Sequence, residues 1–98
     1  MIGAGSRPRL ASKARVRVDP RSGKHVLLYP ERGLELTETA ARIAALCGQG
    51  LTVAAIVETL AAAYGDVERA RIEDDVLTFL RALDERGLLV DAGEDGAA

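Results

Sequence analysis

The hydrophobic period of this chain changes once. Over residues 15–36 the apolar residues fall in short strand-like runs, and after residue 36 they recur at steps of three and four. Val16 and Val18 alternate with Arg15, Arg17 and Asp19, the pattern of a half-buried strand. Pro20, Ser22 and Gly23 form a turn cluster. His25-Val26-Leu27-Leu28-Tyr29 is a continuous β-prone run that Pro30 ends. Glu31, Arg32 and Gly33 read as the next turn, after which Leu34-Glu35-Leu36 alternates again. The period of two places Leu34 and Leu36 on one face and Glu35 on the other. Three short runs with short connections predict an antiparallel meander.

Three helices are expected to follow. Thr37 caps the first, and Glu38 in its first turn complements the helix dipole. Ala40, Ile43, Ala44 and Cys47 form its apolar stripe, and Gly48 stops it. Thr52 caps the second helix, with Leu51 and Ile56 at the two positions of a hydrophobic staple. Val53, Ile56, Val57, Leu60 and Tyr64 make its buried face, which ends at Gly65. The third helix starts near 66–68 and buries Ile72, Val76, Phe79, Leu80 and Leu83. Gly87 suits a left-handed stop, and Leu88 is placed to touch Leu83 as in a Schellman ending. Residues 88–90 suit a short terminal strand.

Strands followed by helices make an α+β fold, a three-stranded antiparallel meander followed by three helices. So small a meander cannot bury its apolar face alone and must pack on the helices. Residues 1–13, rich in Gly, Ala, Ser, Arg and Pro without periodicity, read as a disordered linker. Residues 14–90 are the expected domain, and residues 91–98 a flexible acidic tail.

The same inventory bounds function. One His and one Cys make a zinc site or a Cys-His or Ser-His device improbable starting points. His25 lies at a strand start beside Lys24, with no obvious carboxylate partner. Cys47 lies on an apolar stripe, where a small buried hydrophobe is the expected role. Glu73, Asp74 and Asp75 are consecutive on a helix, so they fan around the axis and do not converge. The glycines form no phosphate-cradling motif. These residues point to a binding module, not an enzyme. No apolar run approaches the roughly 20 residues that span a bilayer, and Met1–Leu10 lacks a signal-peptide stretch. A soluble, cytoplasmic protein with no membrane contact is expected.

Charge is divided unevenly. Residues 1–32 hold eight basic and two acidic residues, and the remainder five basic and thirteen acidic, for a net −2. Three helices with a small sheet are also the parts of a winged helix-turn-helix, a fold that usually binds DNA, so a winged-helix DNA-binding accessory is the alternative. The third helix weighs against nucleic acid. Its Arg69, Arg71, Arg81 and Arg86 are outnumbered by Glu68, Glu73, Asp74, Asp75, Asp84 and Glu85. Peptide capture suits the pattern better. Leu34-Glu35-Leu36 at a sheet edge leaves unpaired backbone groups on which an extended peptide can add as a strand, beside the apolar stripe of the third helix.

The run HVLLYPERGLELTETAARIAALCGQGLTVAAIVETLAAAYG, from His25, resembles the PqqD family, and so does the later IEDDVLTFLRALDERGLL. The signals are LLYPERGLEL at Leu27–Leu36, LTVAAIVETL at Leu51–Leu60 and DVLTFLRALDERGLL at Asp75–Leu89. The resemblance covers about Ala14 to Val90. It implies a winged helix-turn-helix-like domain without catalysis or cofactor. It implies a peptide chaperone that binds the ribosomally made precursor PqqA and presents it to the radical S-adenosylmethionine enzyme PqqE. That enzyme cross-links a Glu and a Tyr of the peptide. Related recognition domains seat a leader peptide along the third strand and against the third helix. Carried over residue by residue, the implied site is Arg32, Leu34, Glu35 and Leu36 on the strand, with Asp75, Val76, Phe79 and Leu83 on the helix.

Overall fold

A computed structural model describes residues 2–29 and 32–91 of the 98-residue chain. Five strands and three helices follow in the order β1 (Pro8–Leu10), β2 (Arg15–Val18), β3 (His25–Tyr29), β4 (Arg32–Leu36), α1 (Glu38–Leu46), α2 (Val53–Ala63), α3 (Arg69–Glu85) and β5 (Leu89–Asp91). The expected meander is β2-β3-β4, antiparallel throughout, with Leu27 facing Val16 on one side and Leu34 on the other. Leu27 and Leu36 are buried, and the face they share packs on the helices. Val18 departs from the half-buried expectation: at the hairpin end, opposite His25, it is exposed.

The third strand is longer than its alternation suggests. Pairing extends to Leu28↔Gly33 and Tyr29↔Arg32, so Arg32 and Gly33 belong to β4 and not to a turn. Pro30 and Glu31 lie outside the described residues. Gly33 reads as a turn residue, yet it has a different duty. A Cβ there would stand 3.3 Å from Val26 Cγ1 and 3.4 Å from Leu28 Cδ2, so the missing side chain lets these neighbours lean over the strand.

The helix signals are realised closely. The Thr37 hydroxyl accepts from the Ala40 N–H at 3.1 Å, and the Thr52 hydroxyl accepts from the Ala55 N–H at 3.1 Å. Each hydroxyl satisfies one donor that the helix cannot satisfy itself. On α1 the buried positions are Ala41, Ile43 and Ala44, with Ala40 and Cys47 half-buried against the core. The end of α3 is a Schellman motif. The Leu88 N–H donates to the Leu83 carbonyl at 2.9 Å, and the Gly87 N–H donates to that of Asp84 at 3.0 Å. Gly87 sits at φ +70°, a conformation that costs any side-chain-bearing residue.

The N-terminal segment is the main departure. Where the sequence predicts a linker over residues 1–13, β1 pairs antiparallel with β5 in a second, two-stranded sheet, and Ile2, Ser6 and Pro8 are buried. The segment is held through its backbone. The Val53 N–H donates to the Ser6 carbonyl at 2.8 Å and the Ala54 N–H to that of Ala4 at 3.0 Å, so the arm supplies acceptors for the first two N–H groups of α2. The Gly48 N–H likewise donates to the Pro8 carbonyl at 2.9 Å. Carbonyls are common to all residues, so composition cannot announce such an anchor. The expected terminal strand is present one residue later, as β5. The expected tail falls on residues outside those described, apart from Asp91, which ends β5.

Candidate functional site

The strand order leaves β4 at one edge of its sheet, and the ladder decides which of its backbone groups face outward. The Asp19 N–H donates to the Lys24 carbonyl at 2.8 Å, in register with the β2-β3 pairing. Antiparallel pairs alternate between bonded and non-bonded, so Val26 and Leu28 direct their backbone groups to β2. His25, Leu27 and Tyr29 then direct theirs to β4, where they meet Leu36, Leu34 and Arg32. That leaves the N–H and C=O of Gly33 and Glu35 pointing away from the sheet.

Beside this edge runs a groove of about 570 Å³ between β4, α1 and α3. Leu34, Glu35 and Leu36 form its strand side, Ala40 and Ile43 line it from α1, and Asp75, Thr78, Phe79 and Ala82 line it from α3. The wall is apolar. The carboxylates of Glu35 and Asp75 and the hydroxyls of Thr39 and Thr78 stand around it. Neither Thr39 nor Thr78 hydrogen-bonds through its hydroxyl among the described residues. Glu35 forms an ion pair with Lys24 at 3.3 Å, with both side chains more than half exposed, so the pair is weak and easily exchanged.

Five of the eight residues assigned to the site meet in this groove: Leu34, Glu35, Leu36, Asp75 and Phe79. Arg32 lies beyond it, exposed at the start of β4. Val76 and Leu83 are both 0% exposed and lie behind the wall as core. Thr37, Thr39, Ala40, Ile43, Thr78 and Ala82 complete the lining and lie outside that assignment. On α3 a signal was present. Asp75, Phe79 and Ala82 step by four and three, one residue out of phase with the buried stripe Ile72, Val76, Leu80 and Leu83. Residues flanking a core stripe are the ones that can be touched from outside.

The remaining candidates behave as ordinary structural residues. His25 is exposed on its strand. Burial pushes the Cys47 thiol up to about 11, which keeps it protonated and unreactive near neutral pH. Among the described residues no group of three or more His, Cys, Asp or Glu is placed to hold a metal ion, and no helix is long and apolar enough to cross a membrane. Glu73, Asp74, Asp84 and Glu85 are exposed along α3, so the helix presents acidic groups where a duplex reader needs basic ones.

A small antiparallel sheet with an open edge strand, packed on three helices and flanked by an apolar groove, is the winged-helix-like fold of peptide-recognition domains. Solved structures share it. The chain superposes with a TM-score of 0.78 on the solution structure of a PqqD truncation of Methylobacterium extorquens PqqCD, described as a stand-alone RiPP recognition element. Identity there is 34%, covering 92% of this chain and 95% of that one. A lasso peptide synthetase B1 complexed with a leader peptide superposes with a TM-score of 0.73 at 28% identity, covering 87% of this chain and 99% of the other. The model of the family described as coenzyme PQQ synthesis protein D matches residues 24–89, and the chain belongs to the PqqD family. A PqqA binding protein of Rhodopseudomonas palustris strain HaA2 is 40% identical over 89 residues, 91% of this chain and 86% of that protein.

Proposed function

We propose that the chain is a non-catalytic peptide chaperone of pyrroloquinoline quinone biosynthesis, acting in the cytoplasm without a cofactor. It captures the precursor PqqA as an extra strand on β4. It then presents the peptide to the radical S-adenosylmethionine enzyme PqqE for Glu–Tyr cross-linking. The observation that carries this reading is the outward backbone of Gly33 and Glu35 beside the groove walled by Phe79. Main-chain bonds to these two residues supply affinity without regard to sequence. Side chains of the added strand that share a face with Leu34 and Leu36 enter the groove, and the pockets there supply selection. Arg32, exposed just beyond the groove, and Asp75, an exposed carboxylate on its lining, contribute more to encounter and register than to affinity. Family membership, the name of the Rhodopseudomonas relatives and the leader complex of the lasso synthetase domain support the same reading.

An NMR titration of labelled protein with synthetic PqqA tests it. Shifts are expected along Arg32–Leu36 and at Asp75, Thr78, Phe79 and Ala82. Leu34→Asp, which sets a charge on the groove wall, is expected to weaken binding by more than about 1 kcal/mol. A folded protein that shows no shifts with the peptide sinks the proposal. Cross-linking by PqqE with and without the chain tests the presenting step.

A further inference from the structure

The groove does not stop at Asp75. Asp75 and Thr39 also line a second cavity, of about 620 Å³, between the start of α1, the end of α2 and the start of α3. Leu60 and Ile72, at 2% and 5% exposure, form its floor, and Tyr64 and Val67 its wall. Val67 is 38% exposed, a large apolar side chain left at the mouth of a cavity. The carboxylates of Asp66, Glu68 and Asp75 surround this wall, against one cation in the lining, Arg71. Among the described residues none of the three carboxylates is in an ion pair. The neighbouring arginines are engaged elsewhere: Arg69 pairs with Glu58, and Arg42 pairs with Glu38 while standing 5.4 Å over the Tyr64 ring.

An apolar wall under a ring of carboxylates matches the two halves of a long basic side chain, a methylene stem and a cationic head. Position matches as well. β4 runs toward Thr37 and α1, so a strand added to it leaves the groove past Leu36, where the two cavities share Thr39 and Asp75. We propose that this second cavity is a further subsite of the same ligand, taking a lysine or arginine side chain of the captured peptide from the residues just beyond the added strand at Leu36. The proposal rests on the strand-addition reading and adds a charge requirement that strand addition alone does not make.

The test titrates the full chain, labelled for NMR, with synthetic PqqA and with versions in which each Lys or Arg is replaced by norleucine. The parent peptide is expected to shift amides at 64–72 in addition to those of β4, and one norleucine version is expected to lose the first set and keep the second. The double variant Asp66→Asn with Glu68→Gln, at two exposed positions, is expected to bind the parent about three- to tenfold more weakly at low salt. The difference shrinks as salt screens it. The same variant should bind that norleucine peptide as the unaltered protein does, closing a double-mutant cycle. Shifts along β4 with silence at 64–72, or an equal loss for both peptides, overturn the subsite and leave the groove standing. Silence in both regions with a folded protein overturns both.

Discussion

Leu83→Ala and Phe79→Ala, one helical turn apart on α3, should separate stability from binding. Leu83 is 0% exposed, lies behind the groove wall and accepts the Schellman bond from Leu88. Emptying such a site costs the transfer energy of the lost atoms plus that of the cavity, about 3–5 kcal/mol. A domain of this size holds about 5–15 kcal/mol in total. At about 4–8 °C per kcal/mol for a small domain, the melting midpoint should fall by about 12 °C or more. Phe79 is half-buried and lines the groove, so its truncation should cost less, about 1–2 kcal/mol of stability. Binding should order the two in reverse. At 10 °C, where enough Leu83→Ala protein stays folded, its peptide affinity should be within about threefold of the parent. Phe79→Ala should lose more than about 1 kcal/mol, or over fivefold. Urea unfolding followed by circular dichroism reads the first quantity, and isothermal titration with the precursor peptide reads the second. Parent-like binding by folded Phe79→Ala, with binding lost in folded Leu83→Ala, would refute the division of α3 into a buried stripe and a contact stripe.

Three further outcomes are expected. Gly87→Ala forces a side chain into φ +70° and should cost about 1–2 kcal/mol, read as a lower urea midpoint; an unchanged midpoint would contradict the Schellman geometry. The Cys47 thiol titrates at about 11 in the fold against 9.0 for a free thiol, so stability from this group is complete below pH 9 and is lost as pH rises toward 11. Cys47→Ala should flatten that loss, and a thiol reagent at pH 8 should label the native protein far more slowly than the unfolded one. Deleting residues 2–10 removes the acceptors for the Val53 and Ala54 N–H groups and the buried Ile2, so it should lower the unfolding midpoint and speed exchange of those two amides. Equal midpoints would make the segment a linker after all.

Several features of the fold were legible residue by residue. The caps at Thr37 and Thr52, the stop at Gly87 and the stripe through Ile72, Val76, Leu80 and Leu83 are local matters, set by neighbours within about four positions. The meander was legible for the same reason, since alternation and turn chemistry act over a few residues. Part of the candidate groove was legible with it, because Leu34, Leu36 and Phe79 carry the apolar signal of any core. What core and groove wall have in common in sequence, they do not have in exposure: Val76 and Leu83, which the family resemblance carries onto the binding face, lie in the buried stripe that the helical period predicts.

Long-range contacts made by the main chain escaped notice. Nothing in the composition of residues 2–10 marks the strand that pairs with β5 and supplies acceptors to α2, because its bonds use carbonyls that every residue carries. The outward aim of Gly33 and Glu35 is likewise a matter of register, decided only when β2, β3 and β4 are laid side by side. Short-range preference chose the helices and strands. The relative placement of β4, α1 and α3 made the groove, because a surface shared by three elements exists only once their buried faces have met.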